Sequence, residues 1–209
     1  MNSNNLIREI EWDDFGNGGV HDHFIHEDFI DTEICDELID YYENCTYLKK
    51  KQGFIGSSDL SGVPTTSNRK MSMDLCSHVM LAETEPALSH YFSALNNVVQ
   101  NYFNKYQFAL VDCSISPMFN IQKYPPNGGY KVWHFERTPQ RLGRERHLVW
   151  MTYLTDHTDG GTEFYYQSKY FEAKKGSTLI WPADWTHTHR SRVHETEEKT
   201  IITGWIELD

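Results

Sequence analysis

The chain has 209 residues, of which 39% are hydrophobic and 14% aromatic. This gives enough apolar surface for one sizeable core, and it excludes a disordered or collagen-like chain. Thirty acidic and 19 basic residues give a net charge of −11, which argues against nucleic acid or an anionic membrane as a partner. We therefore expect a single folded domain over residues 1–209.

The sequence also bears on location. No apolar stretch approaches the length of a membrane span, and the start Met1-Asn2-Ser3-Asn4-Asn5 lacks the basic and apolar regions of a signal peptide. Four cysteines lie far apart without a C-x-x-C motif, as is typical of free, reduced thiols. We expect a cytoplasmic protein without a membrane partner.

Two helices are predicted in the first half of the chain, in a helical support over roughly 1–106. Asp31 or Thr32 can cap the first, whose apolar face is formed by Ile34, Leu38, Ile39 and Tyr42. The second follows Pro86, with apolar residues at helical spacing as far as Phe103. Between them, residues 53–69 have the composition of a loop, either a lid over a site or a plain surface connection.

From about residue 107 to residue 209, short β-rich runs alternate with turn signals. Many short strands at such spacing predict an antiparallel sandwich or jelly roll. The predicted strands are Phe108–Val111, Met118–Tyr124, Leu148–Leu154, Thr162–Tyr166, Ser177–Trp181 and Lys199–Ile206, with turns at Pro125–Gly129 and Asp159–Gly161.

Histidine and carboxylate residues in this β region have the spacing of metal ligands. His134 and Glu136 stand at positions i and i+2, which share one face of a strand. Either His187 or His189 can join them from further along the chain. Two histidines and one carboxylate make the facial triad that suits non-haem Fe(II).

The stretch from Gln122 to Trp205 resembles the catalytic core of the Fe(II)/2-oxoglutarate-dependent oxygenases. It is most similar to the prolyl 4-hydroxylase branch and its compact members in bacteria and bacteriophages. That branch has a tyrosine ten residues before an H-x-D motif, matched by Tyr124 and His134-Phe135-Glu136. It then has an arginine followed seven residues later by Tyr-Leu, matched by Arg146 and Tyr153-Leu154.

The same resemblance distinguishes the two downstream histidines. In the branch, the distal histidine is followed after ten residues by a basic residue and six later by tryptophan. His189, Lys199 and Trp205 have this spacing, whereas His187 would need a basic residue where Glu197 stands. The resemblance implies His189 as the ligand, with His187 beside the ligands or on the substrate side.

The resemblance further implies a double-stranded β-helix (jelly roll) packed on two or more α-helices, and a dioxygenase that hydroxylates a C–H bond with release of succinate and CO2. The expected cofactors are Fe(II), 2-oxoglutarate as co-substrate and ascorbate as reductant. The implied catalytic residues and metal ligands are His134, Glu136 and His189, and those for 2-oxoglutarate are Tyr124, Tyr153 and Lys199. Lys199 shares a strand face with Ile201, Thr203 and Trp205, so we expect all four to face the barrel interior.

A peptidyl proline is the substrate that the resemblance implies, in a peptide or protein. A free amino acid or other small molecule is the alternative within this class. Outside it stand a cupin-like metal protein using His187, His189 and Glu195, and a non-catalytic jelly-roll binding protein. The main departure from the family is Glu136, where most members have aspartate, so its effect on the reaction is left open.

Overall fold

The computed structural model describes residues 23–53, 69–139 and 143–209. Strand residues outnumber helical ones, 40% against 26%, and the sheets are antiparallel. The predicted class, mainly β with N-terminal helices, is confirmed. No helix among the described residues is long and apolar enough to cross a membrane.

The described residues contain two α-helices and 13 strands. The helices are α1 Thr32–Asn44 and α2 Pro86–Lys105, with 3-10 turns at Val79–Glu83, Gln107–Ala109 and Trp185–His187. The strands are β1 His26–Phe29, β2 Lys51–Gln52, β3 Lys70–Met71, β4 Met73–His78, β5 Cys113–Ile115, β6 Met118–Tyr124, β7 Gly129–Tyr130, β8 Arg146–Tyr153, β9 His157–Phe164, β10 Lys169–Ala173, β11 Ser177–Pro182, β12 His189–Ser191 and β13 Lys199–Leu208.

Two sheets form the predicted jelly roll. The large one has the order β1-β11-β8-β13-β6-β4-β2, with β5 also paired to β13, and the small one has the order β10-β9-β12. A buried cluster between them joins Val149, Met151 and Ile201 of the large sheet to Phe164 and Ala173 of the small one. This space between the sheets is called the interior below.

The helices cover the other face of the large sheet. Asp31 caps α1 by accepting a hydrogen bond from the backbone N–H of Glu33, and Pro86 begins α2, where its missing N–H costs nothing. Tyr91 of α2 packs against Trp150 of β8. Because β8 is buried on both faces from Leu148 onward, its residues 148–151 are a continuous apolar run.

Two strand predictions need correction. Phe108–Val111 is not a strand: Gln107–Ala109 is a 3-10 turn and Phe108 is 79% exposed, because no strand in the described part of the chain pairs with this segment. The N-terminal support is also not purely helical, since it contains β1 to β4. β4 has no continuous apolar run and only two buried residues, Leu75 and Ser77, so its strand signal in the sequence is weak.

The Gly160-Gly161 pair, predicted as a turn, lies inside β9. A side chain on Gly161 would collide with the backbone carbonyl of Phe171 on β10, so the two strands approach closely only because glycine stands there. The predicted loop over 53–69 falls mostly on residues 54–68, which lie outside the described residues.

Candidate metal centre

Three side chains come together at one end of the interior. The ligand atoms of His134, Glu136 and His189 all lie within 4.8 Å of one another. His134 and His189 form an isolated antiparallel bridge, with N–H···O distances of 3.0 and 2.9 Å in the two directions. The backbone N–H of Glu136 donates to the carbonyl of Ala183 at 2.9 Å, which fixes the third residue.

The histidines are oriented as metal ligands. Nδ1 of His134 lies 2.9 Å from the carbonyl of Val132, and Nδ1 of His189 lies 2.9 Å from the carbonyl of His187. With the proton on each Nδ1, the Nε2 lone pairs are free for an ion. Nε2 of His134 stands 3.5 Å from Oε1 of Glu136.

The carboxylate of Glu136 is held from behind. Its Oε2 accepts hydrogen bonds from Nη1 of Arg146 at 2.8 Å and Nε1 of Trp205 at 3.2 Å. The guanidinium of Arg146 stacks 3.6 Å above the ring of Trp205. Oε1 faces the histidines. The extra methylene of glutamate, compared with aspartate, lets Oε2 reach the Arg146–Trp205 pair.

Electrostatics keep Glu136 and His189 in the forms that bind metal. Burial would raise the pKa of Glu136, but the adjacent imidazole of His134 and the guanidinium of Arg146 hold it well below its usual range. Burial, with the neighbouring His134, lowers the pKa of His189 to about 3. The site therefore offers an ionised carboxylate at Glu136 and a neutral imidazole at His189.

A second polar group lies further along the interior. The buried Lys199 ammonium donates to the carbonyl of Gly160 and to Oγ of Ser191, the latter at 2.6 Å. The hydroxyls of Tyr153 and Thr162 are 2.6 Å apart, and Thr162 stands opposite Ser191 in the β9–β12 pair. Burial lowers the pKa of Lys199 to about 7.

The two polar groups face the same interior. Ser191 follows His189 by two residues on β12, which places both side chains on one face, roughly 7 Å apart along the strand. Ile201 and Trp205 of β13 belong to the interior cluster, on the strand face that also carries Lys199. A bound dicarboxylate can therefore meet metal at one end and a cation at the other.

Tyr124 is held by a chain of polar contacts. Its hydroxyl donates to Oε1 of Gln122 at 2.6 Å, and Nε2 of Gln122 donates to Asp74 at 3.1 Å. Asp74 accepts from the Lys70 ammonium at 2.8 Å. The ammonium of Lys199 lies 5.5 Å from the centre of the Tyr124 ring.

His187 does not point into the site. Its buried ring bonds to the carbonyl of His23 at 2.7 Å and to the hydroxyl of Thr186 at 2.9 Å, so only its backbone carbonyl serves His189. Sequence reasoning missed Tyr130, which stacks 3.6 Å from His134, and it missed Ser191 and Thr162. No motif marks these residues, since cross-strand register alone brings them in.

Other aromatic and basic residues that are close to the ligands in the sequence lie in different environments. Trp133 and Trp185 are exposed, and Arg144 is exposed as well. Nε of Arg137 donates to the backbone carbonyl of Arg146 at 2.6 Å. Arg141 lies outside the described residues.

Residues 119–207, which carry the candidate centre, match the model of the 2OG-Fe(II) oxygenase superfamily. Over these residues the chain is similar to that superfamily. The expected enzyme class, a 2-oxoglutarate-dependent dioxygenase, is confirmed at the level of the family. None of the curated proteins compared matches the chain.

Solved structures of prolyl hydroxylases share the fold. A Pseudomonas putida prolyl-4-hydroxylase has a TM-score of 0.65 at 14% identity, over 90% of this chain and 94% of its own. A viral collagen prolyl hydroxylase from Paramecium Bursaria Chlorella virus-1, in complex with 2OG, has 0.59 at 14%, over 91% and 100%. A Trichoplax adhaerens prolyl hydroxylase, in complex with a hypoxia inducible factor oxygen degradation domain peptide, has 0.61 at 16%, over 89% and 84%.

Proposed function

We propose that the chain is an Fe(II)- and 2-oxoglutarate-dependent hydroxylase of a peptidyl proline, with ascorbate as the reductant that keeps the iron ferrous. The observation that carries this proposal is the shared interior of the three ligand side chains and the Lys199 group. Its cytoplasmic location stays a prediction from the sequence.

The residues present fit Fe(II). His134, Glu136 and His189 would hold the ion through two imidazole nitrogens and one carboxylate oxygen, which leaves positions for co-substrate and oxygen. The buried indole N–H of Trp181, in edge contact with His189, has no hydrogen-bond partner among the described residues. It is a donor available to a ligand bound there.

Lys199 and Tyr153 would bind the far carboxylate of 2-oxoglutarate. The ammonium supplies charge, and the hydroxyls of Tyr153, Thr162 and Ser191 supply directed hydrogen bonds. Tyr124 stands beside Lys199 and is positioned to contact the co-substrate. The apolar walls formed by Met151, Ile201 and Phe164 exclude water from this region.

Held by these residues, Fe(II) would supply the activation of O2 that couples the loss of CO2 from 2-oxoglutarate, giving succinate, to hydroxylation of a substrate C–H bond, with one oxygen atom going to each product. The protein itself positions the metal ligands and the co-substrate. The Arg146–Trp205 pair orients Glu136, the backbone carbonyls of Val132 and His187 orient the imidazoles, and Lys199 orients the co-substrate.

Fold supports a proline in a peptide, because all three solved structures described above are prolyl hydroxylases and one of them holds a peptide. The second candidate is a free amino acid or small molecule. A proline-containing peptide that gains one oxygen atom, seen by mass spectrometry, supports the first; gain of oxygen by free proline alone supports the second.

The reaction class is tested by succinate formation from 2-oxoglutarate with Fe(II), ascorbate and oxygen. We expect slow turnover without prime substrate in the wild type and in His90→Ala, whose imidazole is exposed on α2. In His189→Ala we expect the turnover to fall at least about 100-fold, because a metal ligand is gone. A metal content near zero in the wild type would instead support a non-catalytic binding protein.

A further inference from the structure

The rim around the metal end of the interior carries a row of exposed aromatic rings. Trp133, Tyr165, Tyr166 and Trp185 are 37 to 60% exposed. Neighbouring rings in the row touch edge to face, with centroids 5.1 to 5.9 Å apart. We call these four residues the aromatic rim. A contiguous exposed aromatic surface of this kind is typical of a binding site.

The rim continues into a cleft on the outer face of the small sheet. This cleft, of about 300 Å³, is lined by three cations, Lys169, Arg190 and Arg192, and by one carboxylate, Glu163. It therefore has a net positive charge in a chain whose net charge is −11. We call it the cationic cleft.

The arginines of the cationic cleft are fixed in place. The guanidinium of Arg190 stacks 4.3 Å from the Trp133 ring, and that of Arg192 stacks 4.4 Å from the Tyr170 ring. Glu163 pairs with both arginines, so one carboxylate is shared between two cations. A stacked guanidinium keeps N–H groups at its edge for a further carboxylate.

The surface is continuous with the metal centre. Trp133 directly precedes His134, and Arg190 directly follows His189. The outward side chains therefore alternate with the inward ligands. The turn after β9 is tied to the rim, because the side-chain amide of Gln167 donates to the carbonyl of Thr186 and the backbone N–H of Tyr165 donates to that of Thr188, both at 2.8 Å. A ligand held here lies beside the opening of the interior.

We propose that the aromatic rim and the cationic cleft bind an extended polypeptide with acidic residues next to the residue that is hydroxylated. Proline and other apolar side chains pack on the rings, and the carboxylates bind Arg190 and Arg192. The inference rests on the proposed function in one respect, that the prime substrate is a polypeptide. It adds that the sequence flanking the hydroxylated residue is acidic, and it names the surface that binds this sequence.

A single-stranded nucleic acid is the other ligand that stacks on aromatic rings. The cleft favours a polypeptide, because three cations with a shared carboxylate can neutralise few phosphates and the rest of the chain repels them. A few peptide carboxylates match the available charge.

The test is binding to two fluorescein-labelled twelve-residue peptides, repeats of Pro-Ala-Glu and of Pro-Ala-Gln, followed by fluorescence anisotropy. The protein is metal-free, so the result does not depend on turnover. We expect the acidic peptide to bind the wild type about tenfold more tightly than its glutamine counterpart, with a difference that shrinks in high salt.

Variants locate the effect. R190Q/R192Q should remove the preference for the acidic peptide, whereas K49Q/K174Q, which changes the net charge equally at exposed lysines elsewhere, should keep it. Trp185→Ala should weaken both peptides about equally. The basal formation of succinate should stay unchanged in K49Q/K174Q.

Equal binding of the two peptides, no binding of either, or a preference that survives R190Q/R192Q overturns the inference. Binding of a twelve-nucleotide oligo-dT in place of the acidic peptide assigns the surface to nucleic acid and also overturns it. Failure of succinate formation with the peptide preference intact would instead contradict the proposed function alone.

Discussion

The two faces of the central strands β8 and β13 differ in what they bury. Toward the helices, Trp150 and Ile202 are fully buried in an apolar cluster, and the hydroxyls of Tyr91 and Thr152 bond to each other at 2.9 Å. Toward the small sheet, Tyr153 and Lys199 belong to a space that also holds the candidate ligands. The helix-facing side is built for stability, and the interior gives up stability to hold charge.

The largest expected effect belongs to the helix-facing side. Trp150 packs against Tyr91, Phe92 and Phe119, so Trp150→Ala should lower the free energy of unfolding by about 3–5 kcal/mol. Chemical denaturation measures it, and the exposed Trp185→Ala is the matched control, with a change within about 0.5 kcal/mol. A loss of metal affinity in folded Trp150→Ala would show that the two faces are not separable.

The interior should respond with the opposite sign. Lys199→Met removes a buried ammonium, so at pH 6 the metal-free protein should become about 1–4 kcal/mol more stable. The same variant should bind 2-oxoglutarate at least about 30-fold more weakly, because a buried ion partner is lost. Denaturation and calorimetry check the two halves, and destabilisation by Lys199→Met would contradict the comparison.

The Glu136 side chain offers a sharper test of the interior. Glu136→Asp installs the residue that most of the family carries, yet we expect metal affinity to fall about tenfold or more. The shorter carboxylate cannot both face the histidines and accept from Arg146 and Trp205. Calorimetry with Mn(II) measures the affinity. Tighter binding by the aspartate variant would mean that the pair does not orient the ligand.

Co-substrate binding should also depend on pH. The pKa of Lys199 in the free protein is about 7, so above pH 7 the dicarboxylate must bind together with a proton. Affinity for 2-oxoglutarate, measured with Mn(II) to prevent turnover, should fall by up to about tenfold per pH unit above 7. Lys199→Arg stays charged and should show a flat profile over this range.

The same titration affects folding. The pKa of Lys199 is below its unfolded value of 10.5, so between about pH 7 and 10.5 the unfolded chain holds more protons than the folded one. The free energy of unfolding of the wild type should therefore rise with pH in that window relative to Lys199→Met. A falling difference would contradict a buried, neutralised lysine.

The sequence predicted the parts of the fold whose signal is local. The periods of α1 and α2 and the apolar runs of β6, β8, β11 and β13 are confirmed. β1, β4 and β10 were missed because they are short and mostly exposed or half-exposed, so no continuous buried apolar run marks them. Phe108–Val111 was wrong because β propensity without a partner strand does not make a strand.

For the candidate centre, the i and i+2 spacing predicted one shared face for His134 and Glu136, and the resemblance added His189; the ligand atoms of the three residues lie within 4.8 Å of one another. The residues that contact Glu136 and Lys199 could not be predicted from the sequence. Ser191 and Thr162 join Lys199 only through the register of β9 and β12, and Arg146 reaches Glu136 only through a folded return of the chain. Such contacts depend on tertiary geometry rather than on any motif.

The backbone bridge between His134 and His189 has a consequence for metal exchange. Backbone hydrogen bonds already join two residues that are far apart in the sequence. The entropic cost of closing that loop is therefore part of folding and not of metal binding. The ion then meets a preformed chelate and does not have to cross-link the chain. Loading and unloading become a local exchange, so metal content can vary while the barrel stays intact.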